Sequence, residues 1–80
     1  MDPDKIKALI EAGMETEQVM VSGEGGKYEA VVVSRAFDGV SMLNQHKMVY
    51  ALLDEHIRSG EIHALTIKSY TPAQWAQKNG

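Results

Sequence analysis

The order of elements legible in the chain is helix, strand, strand, helix, strand, helix. It predicts an α+β domain: a three-stranded mixed sheet with helices packed on one face. Three observations carry this reading. Two Val-containing runs flank a Gly-rich turn, a long amphipathic stretch separates the second run from a third, and a helix-capping sequence follows the third. Strands joined by a short turn pair antiparallel, whereas a helical crossover makes its flanking strands parallel and right-handed. The sheet is therefore expected to be mixed.

The first helix is announced by Asp2-Pro3-Asp4, with Asp2 as N-cap, Pro3 at the first helical position and an acid near the positive end of the dipole. Ile6, Leu9 and Ile10 share one face, and Gly13 marks the end. Residues 17–22 alternate around Val19 and Val21 as a strand, and residues 22–27 form a turn that reads as a flexible hairpin tip. The second strand covers residues 28–34, where Val31-Val32-Val33 suggests burial on both faces. Residues 35–40 connect it to a helix from about 41 to 58, with Met42, Val49, Leu52, Leu53 and Ile57 as core stripe and Gly60 as stop. The third strand spans residues 62–68. Thr71, Pro72 and Gln74 then supply the N-cap, first turn and capping box of a closing helix.

Eighty residues make one domain, spanning 1–80. A chain this small buries only about 60% of the surface its unfolded form exposes, so its stability is expected to be small. No cysteine is present, which excludes disulfides and closed Cys/His zinc sites. A net charge of −3 argues against a dedicated nucleic-acid binder without excluding a local basic face. No apolar run is long enough for a membrane span, and no secretory leader is legible, so a cytoplasmic protein is expected.

The Gly-rich turn fails as a phosphate loop: Val21 stands where the first Gly is needed, Tyr28 follows Lys27, and the turn enters a strand. No nucleophile with a base and an acid can be assembled, so an enzyme is not expected. Of three histidines, His56 and His46 lie on the long helix, at rim or partner-facing positions. His63 opens the third strand, and parity groups it with Leu65 and Ile67 on the packed side. Two readings stand for it: a half-buried ring bonded to backbone, or a metal ligand with one nitrogen outward. Arg35, His46 and Lys47 form a weak basic edge for nucleic acid.

Two segments together resemble the BolA-like family. One is Phe37-Asp38-Gly39-Val40-Ser41 running on to Gln45-His46-Lys47-Met48-Val49-Tyr50; the other is Ile62-His63-Ala64-Leu65 running on to Tyr70-Thr71-Pro72 and Trp75. With the leading helix and the Val-rich hairpin, the resemblance covers almost the whole chain, and it points to the short bacterial branch. It implies a fold similar to class II KH domains and a non-enzymatic adaptor that pairs with a monothiol glutaredoxin and shares a [2Fe–2S] cluster. Roles in iron–sulfur and iron homeostasis and in stress response go with it.

His63 is then the expected cluster ligand, the partner and its glutathione supplying thiolates. Gly25 and Lys27 in the hairpin turn, with Thr71 and Lys78 near the C-terminus, are expected to border the partner. Alone, the chain is expected to be a monomer or a weak dimer. Many relatives carry a second Cys or His ligand in the hairpin turn; residues 22–27 here contain neither. The family's Arg-His-Arg pattern is softened to Gln45-His46-Lys47, and Gly39-Val40-Ser41-Met42 departs from the Gly-x-x-Gly loop of nucleic-acid-binding KH domains. A KH-like transcriptional regulator acting on DNA or RNA through Arg35, His46 and Lys47 is the alternative.

Overall fold

The computed structural model describes residues 1–79. Its elements are α1 (Pro3–Gly13), β1 (Gln18–Glu24), β2 (Lys27–Val33), a 3₁₀ turn (Arg35–Phe37), α2 (Met42–Arg58), β3 (Ala64–Tyr70) and α3 (Pro72–Asn79). The sheet order is β1-β2-β3, with β1 antiparallel and β3 parallel to β2. The α+β class and the mixed three-stranded sheet are as the sequence predicts, and α1 and α2 cover one face.

Both foreseen N-caps form. The Asp2 carboxylate accepts from the Asp4 N–H at 2.9 Å. The Thr71 capping box is reciprocal: Gln74 Oε1 accepts from the Thr71 N–H at 2.9 Å, and Thr71 Oγ1 accepts from the Gln74 N–H at 3.2 Å.

The hairpin differs from expectation. Glu24 pairs with Lys27, so Gly25 and Gly26 alone make the turn, with φ of +63° and +83°. Two consecutive positive φ values are what a type I′ hairpin turn demands, and glycine supplies them without strain. A tight ladder-flanked turn replaces the expected loose tip. The third strand also starts later, at Ala64, so His63 precedes it.

Register places Val19 and Val21, then Tyr28, Ala30 and Val32, then Leu65, Ile67 and Ser69 on the helix-covered face. Ile6 and Ile10 of α1, Val49 and Leu53 of α2, Phe37 and Ile62 close the core against that face. The opposite face carries Met20, Val31 and Lys68 in one row. Tyr70 lies on that face too, packed against Trp75 of α3 with ring centroids 5.3 Å apart.

Two residues of α2 exchange their expected roles. Met42 is exposed, and Gln45 is buried. Gln45 is four residues before Val49 and eight before Leu53, on the stripe that faces inward. Its Nε2 donates to the carbonyls of Val40 at 2.8 Å and Phe37 at 3.3 Å, and its Oε1 accepts from Ser69 Oγ at 2.7 Å. One amide thus ties connector, helix and edge strand together. Gln45→Ala leaves those groups without it, and a buried polar group left unsatisfied costs about 1–3 kcal/mol. Urea unfolding followed by circular dichroism should record a loss of that size; a neutral result would show that the three groups find other partners.

A candidate ligand site at the hairpin end of the sheet

The parallel register sets Lys27 beside Ala64, which brings the hairpin turn and His63 to one end of the sheet. The Gly26 carbonyl accepts from two consecutive N–H groups, His63 at 2.7 Å and Ala64 at 3.0 Å. The His63 side chain lies against the turn itself. A Cβ built on Gly26 would stand 2.3 Å from His63 Cδ2 and 3.1 Å from Cγ. Only the missing side chain leaves room for the imidazole. His63 is exposed, and among the described residues its ring makes no hydrogen bond or ion pair.

The approach to His63 is pinned from the other side. Glu61 Oε1 lies 2.9 Å from His56 Nδ1 and accepts from Ser59 Oγ at 3.2 Å. The Ile62 N–H donates to the His56 carbonyl at 3.1 Å, and the Ile62 side chain is buried. The His56 hydrogen bond holds the Glu61 carboxyl below the usual carboxylate range, aided by Ser59 and opposed by partial desolvation. His63 therefore projects from a short segment whose neighbours are fixed on both sides. His56 itself is the half-buried clasp at the end of α2.

The other expected site residues fall in separate places. Gly25 is exposed in the turn, and Lys27 is exposed at the start of β2, both at the His63 end. Thr71 and Lys78 follow the far end of β3, whose seven residues put roughly 20 Å of strand between them and His63. Lys78 Nζ stands 5.8 Å from the centre of the Tyr70 ring.

Arg35 is tied to acids: its Nε donates to Glu17 Oε1 at 2.9 Å, its backbone N–H donates to Glu17 Oε2 at 3.0 Å, and Glu15 Oε1 is 3.8 Å from Nε. The Arg35 hydrogen bond lowers the Glu17 pKa, and the Glu17 hydrogen bond raises that of Arg35. That guanidinium is compensated and adds little to a basic edge. His46 is half-buried beside β3, and Lys47 is exposed. The buried Gln45–Ser69 pair and the Gly26 platform were missed by sequence reasoning. Gln45 left one usable trace, its helical spacing to Val49 and Leu53.

A long helix crossing over one face of a β-hairpin and its parallel third strand, with a histidine at the strand's entrance, defines a small α+β domain. The chain belongs to the BolA-like protein family, whose model matches residues 3–74. It is 36% identical over 77 residues to the acid stress protein IbaG of Escherichia coli, covering 96% of this chain and 92% of that protein. A BolA protein homologue from Coxiella burnetii superposes with a TM-score of 0.84 at 38% identity, over 95% of this chain and 97% of the other. The BolA domain of SufE1 from Arabidopsis thaliana gives 0.77 at 30% identity, over 89% and 92%. Members of this family are non-catalytic adaptors. No helix among the described residues is long and apolar enough to cross a membrane.

Proposed function

We propose that the chain is an adaptor that binds a monothiol glutaredoxin and shares a [2Fe–2S] cluster with it, His63 donating one ring nitrogen. The observation that carries this reading is the exposed His63 ring, free of hydrogen bonds among the described residues and held on the Gly26 turn. Likeness to the BolA domain of SufE1 and to an acid stress protein supports a place in iron–sulfur and stress pathways. Among the described residues no three His, Asp or Glu side chains gather as a metal site. The donor set therefore suits a cluster held jointly with a partner, to which this chain gives a single nitrogen. A shared cluster would supply one-electron chemistry or serve as cargo passed between proteins. Gly25 and Lys27 would border the partner at the same end, and histidine in place of a thiolate would raise the cluster's potential.

Mixing the chain with cluster-loaded monothiol glutaredoxin should change the visible absorption and circular dichroism of the cluster. His63→Ala should abolish that change while leaving the far-ultraviolet spectrum intact. An identical response from wild type and His63→Ala would remove His63 as the ligand.

A further inference from the structure

The first two turns of α2 carry features that the cluster reading does not use. Met42 and Leu43 are 66% and 65% exposed. Met42 and His46, one turn apart, form one wall of a pocket of about 180 Å³, and residues 67–70 of β3 form the other. An apolar cavity of about 150 Å³ holds a benzene ring, so this space suits one apolar side chain.

β3 is an edge strand, and its outer side borders the same pocket. The Ala64 N–H donates inward to Gly26, and the Tyr70 carbonyl accepts inward from the Ser34 N–H. Alternation along the strand then turns the N–H and C=O groups of Leu65, Ile67 and Ser69 outward. The Tyr50 hydroxyl donates to the Leu65 carbonyl at 3.0 Å. The outward main chain of Ile67 and Ser69 lies at the pocket, where an extended backbone could pair with it.

Charge selects the occupant. No carboxylate lines the pocket, whereas His46 and Lys68 do, with Lys47 next on α2. Lys68 is paired with Glu29 at 3.0 Å, but Lys47 has no acidic partner among the described residues. In a chain of net charge −3, Lys47 beside this carboxylate-free pocket is a cation without an acidic partner among the described residues. A second copy docked edge to edge would offer Lys47 no carboxylate at the seam, because the same pocket lining carries none. Nucleic acid would meet aliphatic Met42 and Leu43, and the phenol ring that lines the pocket, Tyr70, is already engaged by Trp75 and Lys78.

We propose that the groove between α2 and β3 docks an extended acidic segment of a partner protein, which seats one apolar side chain between Met42, His46 and β3. Its main chain adds along Ile67 and Ser69, and its carboxylates face Lys47 and His46. The site lies at the opposite end of β3 from His63 and is independent of the cluster.

The test is a titration of the ¹⁵N-labelled chain with a blocked heptapeptide alternating glutamate and leucine. Amide shifts should concentrate at residues 42–47 and 67–70, and affinity should fall as salt is raised. Lys47→Glu should weaken binding about tenfold, since it replaces attraction with repulsion at an exposed position that leaves the fold intact. Met42→Ser should weaken it independently of charge, and His63→Ala should bind as the wild type does. Absence of shifts at low salt, shifts confined to the hairpin end, or displacement of the peptide by a tighter-binding oligothymidylate would each overturn the proposal.

Discussion

Phe37→Ala is expected to remove most of the stability of this domain. Phe37 is the largest of the fully buried side chains. It belongs to a single 3₁₀ turn, a segment whose backbone gains little from regular hydrogen bonding. The turn is held by its cap: Ser34 Oγ accepts from the Ala36 N–H at 3.0 Å and donates to the Glu15 carbonyl at 2.6 Å. The ring anchors the connector to the core, and the Phe37 carbonyl receives both the Gln45 amide and the Val40 N–H. Truncating a buried Phe costs about 3–5 kcal/mol through lost transfer energy and the cavity left behind. A domain of eighty residues commands only about 4–12 kcal/mol in total. Urea denaturation followed by circular dichroism should show a collapse of the midpoint, or no folded baseline at all. A loss below about 1 kcal/mol would mean that the connector closes over the gap.

How much of this was legible in the sequence depends on the range of the interaction. Asp2, Pro3, Gly60 and the Thr71–Gln74 box act within one turn of chain, and each performs the expected job. The mixed sheet was legible because a helical crossover between strands constrains their direction. The tight turn was not, because six turn-forming residues hide which two make it. Strand pairing settles the matter by carrying the ladder through Gly23–Tyr28 and Glu24–Lys27. Met42 was misplaced because its spacing of seven from Val49 matches a core stripe. The inward line of α2 instead starts at Gln45, whose amide satisfies connector carbonyls that no aliphatic side chain could. His63 was assigned to the packed side by parity, which applies only inside a strand. The strand begins one residue later, and the N–H groups of His63 and Ala64 both turn toward Gly26.

Gly26→Ala and Gly25→Ala should separate two roles that the hairpin turn combines. Both residues have left-handed φ values, +83° and +63°, so alanine at either costs about 1–2 kcal/mol in backbone strain. Their surroundings differ completely. A Cβ at Gly25 meets nothing within 4 Å, whereas at Gly26 it falls 2.3 Å from the His63 ring. Backbone retreat is opposed by the two hydrogen bonds that the Gly26 carbonyl accepts from His63 and Ala64. The imidazole must therefore rotate away. Both variants should lose similar stability in urea, but only Gly26→Ala should displace the His63 ring resonances in NMR. Only Gly26→Ala should also diminish the spectral response to cluster-loaded glutaredoxin. Equal responses from the two variants would show that the turn sets the strand register alone and leaves the ligand's aim to the segment around Glu61 and Ile62.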